Sequence, residues 1–376
     1  MMRLGATIGF LCAFSCTFAA DAGPKKDLKQ AFLDARQPAW SIKGERQEFK
    51  VSVSPAGRTL GMIPRVGGAL GTGVDYLVNE HYREEIRKAM GDYDLAGFVH
   101  SYLAKRLDAF APQGLRKVTP LISTAGYSNE RDAERARLEG LRASGVDLLL
   151  DLKVKYGIYG PHFAMRFDVE GKLLDLAKRR RLWLGSIPVV PEPFRADAKF
   201  EHFLLKHVAY VHTPRLVADQ EAMKRLTEND AALLKADFEN AVEGGISAAL
   251  CDMGLLDEPL GHYFLGRQAF QKKRYAKAQE QFVRAINLDP TLRDAQNDLS
   301  VTYARLGAAD KAMELAAKIL SEKPDYAPAA FNLAWWNAFD KRSAAEARRY
   351  YDLALSEGTL PSKKLEHRLK KLETKK

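Results

Sequence analysis

Two hydrophobic periods alternate along this chain. In "VDLLLDLKVKYGIYG" the residues Leu148, Leu150, Leu152, Val154 and Tyr156 recur at every second position, with Asp151, Lys153 and Lys155 between them. That period is the mark of a strand with one buried face. "HFAMRFDVEG" repeats it, setting Phe163, Met165, Phe167 and Val169 against Ala164, Arg166, Asp168 and Glu170. Gly157 to Pro161 joins the two as a hairpin, and Gly171-Lys172 allows a further turn or bulge before "LLDLAKRRRLWLGSI". Earlier, Phe49, Val51 and Val53 alternate in "EFKVSVSP", a glycine-rich turn follows, and "LRKVTPLI" reads as a short strand. The second period is helical. Leu95, Phe98, Val99, Tyr102 and Leu103 fall at three- and four-residue steps, and "NERDAERARLEGLRAS" is a charged amphipathic helix. After the proline-rich "IPVVPEPF", two more helical segments run to Gly254. Residues 46–255 therefore read as an α+β domain, a mixed or antiparallel sheet with helices on one face.

Beyond residue 255 the helical period becomes a repeat. Gly266, Ala278, Phe282, Ala285 and Pro290 are followed 34 residues on by Ala312 and Pro324, with Leu299, Tyr303 and Gly307 between. A third unit carries Leu333 and Ala334, then Ala347, Tyr351 and Ala354 one residue late and without a closing proline. Small residues let paired helices approach, aromatic residues fill the gaps, and proline stops each second helix. Residues 256–357 thus resemble a tetratricopeptide-repeat array of two good units and one degenerate unit, followed by a basic tail helix at 358–376. One such hairpin cannot bury its apolar face alone, so the array must also lean on the first domain or on the tail.

The resemblance implies a concave groove lined by the first helix of each pair. By register it would present Tyr263, Arg267 and Phe270, then Asn297, Val301 and Arg305, then the aromatic stripe Phe331, Trp335 and Phe339. Such a surface grips an extended peptide or a helix of a protein partner. Equally open is that the tail lies over the stripe, since Leu365, Leu369 and Leu372 also recur at helical spacing. The lysine and asparagine pattern that clamps a terminal carboxylate in chaperone-binding members is not evident.

The element order of the first domain, together with "GVDLLLDLKV" and "MRFDVEGKLLDLAKRRRLW", is similar to the small α/β domain of bacterial envelope lipoproteins. The curli secretion channel subunit and the amino-terminal domain of the Tol-system translocation protein are of this kind. The amino terminus fits that company. Arg3, the apolar run "LGATIGFLCAF" and the exit Ala20-Asp21-Ala22 read as a secretory signal peptide over residues 1–22, with a polar linker at 23–45. The apolar run is shorter than a membrane-spanning helix needs, and no later stretch qualifies. The expectation is a periplasmic or outer-membrane-associated protein without a transmembrane helix after cleavage. Cys16 is a candidate lipidation site, although Ala13-Phe14-Ser15 only loosely follows a lipobox. Cys251 is the one cysteine outside the signal, so no internal disulfide is expected.

Charge changes the picture little. The formal net charge is +10, much of it in "SKKLEHRLKKLETKK" and some in Lys178 to Arg181. A basic tail attracts any anionic surface, and for an exported chain that means the envelope rather than nucleic acid. Candidate chemistry fails on spacing. Gly68 and Gly73 frame a phosphate-loop spacing, but Val74 and Asp75 stand where Lys and Ser/Thr are needed. His202, His207 and His212, five apart, share no face of a helix or strand. Asp147 and Asp151 lie near Asp168 and Glu170 but alternate with Lys153, Lys155 and Arg166. Cys251 has no evident histidine partner. No catalytic residue, metal site or cofactor is expected. The sequence reads as a non-catalytic envelope adaptor or assembly factor; the alternatives are an enzyme that recruits substrate through its repeats, and a binder of anionic lipid or glycan.

Overall fold

The computed structural model describes residues 28–44, 50–52, 67–111, 114–121, 123–159, 164–190, 193–197, 200–202, 209–211, 220–359 and 361–374. The expected signal peptide with Cys12 and Cys16 lies outside those residues, as do Phe49, Val53, Pro161, Phe163, His207 and His212.

The amino-terminal part is built on one mixed sheet. After helix α1 (Leu28–Asp34) come β1 (Pro38–Lys43) and β2 (Lys50–Ser52), helices α2 (Gly67–Met90) and α3 (Leu95–Asp108), β3 (Arg116–Lys117), helix α4 (Glu130–Ala143), and the long strands β4 (Leu148–Tyr159), β5 (Ala164–Asp175) and β6 (Arg180–Val189). The order is β3-β1-β4-β5-β6, with β2 beside β1 on the same edge of β4. β1 runs parallel to β3 and β4, and β4–β5 and β5–β6 are antiparallel. A separate two-stranded piece, β7 (Phe200–His202) with β8 (Ala209–Val211), precedes helix α5 (Gln220–Asp252). Non-helical dihedrals at Glu228–Ala231 break α5 into the two helical segments expected there.

The alternation in β4 decides the packing. Leu148, Leu150, Leu152, Val154, Tyr156 and Ile158 are all buried on one face against Ile86 of α2, Val99 and Leu103 of α3, and Phe238 and Val242 of α5. Leu149 faces the other way, with Ala39, Val118, Val146 and Leu176 and with Leu138 and Leu141 of α4. Thus α4 lies on the second face, an addition to the one-face arrangement expected. Further along that face Arg137 of α4 donates to Ser41 Oγ at 2.9 Å and to Asp151 Oδ1 at 3.1 Å. Lys172 closes the cluster on Glu134 at 2.6 Å.

Four expectations are corrected. The linker at 23–45 holds α1 and β1, and β1 is buried because Ala39 serves one face of the sheet while Trp40 and Ile42 serve the other. Strand β5 does not turn at Gly171-Lys172 but continues to Asp175, with a register shift against β6 between Leu173 and Leu174, and the chain turns at residues 176–179, where Arg179 takes φ 52°. Gly171 keeps the strand because an added Cβ would sit 2.4 Å from Leu152 Cδ2 and 3.0 Å from the Trp183 ring. The glycine-rich stretch from Gly67 opens α2 rather than forming a turn. Arg166, placed on a solvated face by alternation, is 3% exposed and pairs with Asp168 at 2.8 Å.

Six helices follow as three hairpins: α6 (Pro259–Gln271) with α7 (Tyr275–Leu288), α8 (Arg293–Arg305) with α9 (Ala309–Glu322), and α10 (Ala327–Trp336) with α11 (Ala344–Ser356); helix α12 (Lys363–Glu373) ends the chain. Ala278, Phe282 and Ala285, then Ala312, Ala316 and Ile319, then Ala347, Tyr351 and Ala354 are fully buried along the second helices. Gly266 must be glycine, since a Cβ would approach the Phe282 ring to 2.7 Å. A π-helical turn at Asn337–Lys341 lengthens the end of α10. Its wider loop takes up one extra residue, and this is why the third unit runs one residue late. The array does lean on both neighbours. Phe264 of α6 packs on Gly244 of α5, and Leu365 and Leu369 of α12 are buried against the third hairpin. Among the described residues no helix is long and apolar enough to cross a membrane.

Candidate peptide-binding groove

Each first helix starts where the sequence stops the one before. Proline occupies the first turn of α6 and of α10, where its missing N–H costs nothing. These helices and α8 present one inner surface, and it is occupied. The segment Pro193-Phe194-Arg195-Ala196-Asp197, which follows β6, lies across it.

Side chains of the array hold this segment by its backbone. Phe194 N donates to Asp298 Oδ1 at 2.7 Å, and Ala196 N donates to Asn332 Oδ1 at 2.6 Å. The Phe194 carbonyl accepts from Asn297 Nδ2 at 2.9 Å and from Asn332 Nδ2 at 3.2 Å. The Phe194 ring, 1% exposed, enters a slot between Phe270, 4.4 Å away between ring centroids, and Phe282, 6.5 Å away edge-on. The Arg267 guanidinium lies 4.3 Å over the same ring. Arg195 stacks at 3.7 Å over Phe331 and pairs with Asp197 at 3.1 Å. Ser362, the N-cap of α12, donates to Asp197 Oδ2 at 3.1 Å.

Beneath the segment is a buried polar network. Arg267, 2% exposed, donates to Tyr263 Oη at 2.6 Å and to the fully buried Asp298 at 3.1 Å. Tyr326 Oη donates to Asp294 at 2.6 Å. Burial pushes the Asp298 carboxyl up to about 7, against the opposing pull of Arg267 and the Phe194 N–H. Burial likewise raises the Tyr263 hydroxyl well above the usual tyrosine range. A carboxylate in such a place costs a great deal unless it is paired and fully hydrogen-bonded, and here it is both.

The residues that register placed in the groove divide into three sets. Tyr263, Arg267, Phe270 and Asn297 converge on Phe194 or on the network below it, with Val301 buried nearby. Phe331 meets Arg195, whereas Trp335 and Phe339 stack at 4.2 Å under the tail. Lys364 Nζ sits 4.8 Å over Trp335 and 5.2 Å over Phe339, and Arg368 donates to the Ala338 carbonyl at 2.9 Å. Arg305, at the end of α8, is exposed. Sequence reasoning missed Phe194, Asp298 and Asn332. The signal was present: "IPVVPEPF" is the kind of extended, proline-rich strand that such grooves receive, and Asn297 and Asn332 stand almost one repeat apart.

The other chemical candidates are structural. Asp147 accepts from the backbone N–H groups of Arg36 and Gln37, and Asp151 belongs to the Arg137 cluster. Glu170 pairs with Lys155 at 3.0 Å. Burial raises the Cys251 thiol to about 11, a poor nucleophile. Among the described residues no group of three or more His, Cys, Asp and Glu side chains is placed to hold a metal ion.

Comparison with known proteins bears on the helical part. No curated protein matches the chain. One of the solved structures similar to it is a PelC dodecamer from Paraburkholderia phytofirmans, at 10% identity, covering 56% of this chain and 89% of that one with a TM-score of 0.20. The tetratricopeptide repeat model matches residues 259–292, which span α6, α7 and the turn into α8. The carboxyl-terminal helices therefore form a tetratricopeptide-repeat region, a protein-interaction module.

Proposed function

We propose that the protein is an exported, non-catalytic adaptor or assembly factor of the bacterial cell envelope, which docks a protein partner in its tetratricopeptide groove. The observation that carries this reading is the grip on residues 193–197. Three array side chains, Asp298, Asn297 and Asn332, make four hydrogen bonds to the backbone of an extended segment, while one deep slot takes an aromatic side chain. That is the chemistry of peptide recognition: backbone contacts give affinity and a side-chain pocket gives selectivity. The engagement of Asp151 and the masked thiol of Cys251 support the non-catalytic part. The leader-like residues 1–22 support export, and the basic side chains of the tail add a weak attraction to an anionic envelope surface.

The test is in the native envelope. A photo-crosslinking amino acid at Arg305, beside the groove and exposed, should capture a discrete protein partner in the membrane or periplasmic fraction. Recovery of the chain in the cytosol with its first 22 residues intact would sink the envelope assignment, and absence of any crosslinked protein would sink the adaptor.

A further inference from the structure

We infer that residues 193–197 are a built-in competitor: they hold the groove closed until a partner peptide of the form aromatic–Arg–small–Asp displaces them. This rests on the adaptor reading and names the partner's chemistry. The segment enters the array as a ligand does. It contributes no helix or sheet strand, and its hydrogen bonds at Phe194 and Ala196 run from its backbone to side chains of α8 and α10. The clamp also stands without it. Asn332 Nδ2 donates to Asn297 Oδ1 at 3.0 Å, Asn297 Nδ2 to Asp298 Oδ1 at 3.2 Å, and Arg267 to Asp298 Oδ2. When the segment leaves, these groups keep one another as partners, so the receptive surface is preorganised.

What departure leaves open is the slot between Phe270 and Phe282 beneath the Arg267 guanidinium. Only a flat ring restores both the aromatic contacts and the cation–π contact, so the incoming peptide must supply an aromatic residue. The next position needs a guanidinium to lie on Phe331, and the position after that is a small residue whose N–H reaches Asn332. The last is a carboxylate that accepts from Ser362 and pairs with the arginine. Tethering sets the threshold for displacement. A segment on the same chain competes at an effective concentration of roughly millimolar, so a free peptide with the same contacts binds the intact chain weakly.

The experiment uses the full chain and a fluorescent peptide of residues 191–199, PEPFRADAK, followed by anisotropy. Wild type should bind it weakly. Phe194→Ala, which weakens the internal competitor, should bind it on the order of tenfold or more tightly. Because emptying the slot also removes core packing, Ala196→Pro provides a second route: it removes the N–H that Asn332 accepts and leaves the ring in place. It should also tighten capture, while Asn332→Ala added to either variant should abolish the gain. If both variants bind the peptide no better than wild type, or a peptide with alanine for phenylalanine binds equally well, the inference falls. It also falls if sedimentation shows the freed groove filling with the segment of a second copy. None of these readouts needs an envelope partner, so a failure here leaves the crosslinking result standing, and a failed crosslink leaves the displacement standing.

Discussion

The first two repeats and the third are built on the same helical hairpin but have different covers. Across the first two and onto the start of the third lies the chain's own extended segment, received by a buried polar set, Arg267, Asn297, Asp298 and Asn332. Over the third lies the tail helix, whose Lys364 and Arg368 face a half-buried aromatic pair, Trp335 and Phe339. A polar clamp has fixed donors and acceptors and demands a backbone in one register. An aromatic pair demands only a cation near its faces. The first surface is therefore selective and costly to disturb, and the second is tolerant and cheap.

The largest effect should come from the buried carboxyl. At pH 8 and above, where the carboxyl is ionised, Asp298→Asn removes the charge that Arg267 is paired with inside the protein, and such a loss costs about 3–5 kcal/mol of unfolding free energy. Urea denaturation would show it. Replacing both partners, Arg267→Met with Asp298→Leu, should recover most of that loss, because the cost lies in the orphaned charge and not in the absence of the pair. If the double variant is as unstable as the single one, Asp298 owes its importance to the Phe194 N–H instead.

The same carboxyl gives a pH signature. Its folded-state value lies above the ordinary one of 3.8, so the folded chain binds more protons than the unfolded chain between about pH 4 and pH 7. This group's contribution to stability is greatest below that window and declines as pH rises through it. The difference in urea midpoint between wild type and the double variant Arg267→Met with Asp298→Leu, which lacks both charges, should accordingly be larger at pH 4.5 than at pH 7.5. A difference that stays the same at both pH values would mean that Arg267 and the segment hold the carboxylate ionised throughout.

Next in size is Asn332→Ala. It deletes the acceptor of the Ala196 N–H and one donor to the Phe194 carbonyl, leaving a buried carbonyl with Asn297 alone, at a cost of about 1–3 kcal/mol. The loss should appear as faster amide exchange at Ala196, with little change in the helices of the third hairpin. Equal deprotection of both would show that the segment and the array unfold together.

How far the sequence could be read follows from the same contrast. Periodicity is local, so the strand faces of β4 and β5 and the helical hairpins were legible, down to the residue that the π-turn at Asn337–Lys341 absorbs. Register put Tyr263, Arg267, Phe270 and Asn297 on one surface, and in the fold they meet Phe194 or the network below it. It could not show that residue 194 arrives there, since a contact 104 residues apart, Phe194 to Asp298, leaves no period. Nor could it show β1, a strand of which both faces are buried and which lacks the alternation that betrays half-buried strands. Arg267, which register places on the groove, is buried, and only the fold reveals the aspartate that lets it be so.

The smallest effect tests the tolerant surface. Lys364 is exposed, and its ammonium lies over both rings of the third repeat. Exposed cation–π contacts contribute about 0.5–1 kcal/mol. Lys364→Ala alone should therefore barely move the unfolding midpoint, so the double-mutant cycle with Trp335→Leu is the measurement that isolates the contact. A coupling of about 0.5 kcal/mol or more, lost at high salt more slowly than a surface ion pair would be, makes the tail a cover held by its cations. Zero coupling would leave Leu365 and Leu369, with the Arg368 hydrogen bond to the Ala338 carbonyl, to hold the helix in place. The aromatic pair would then be open to a partner while the tail stays docked, and the two surfaces of the array would differ in whether they are covered at all.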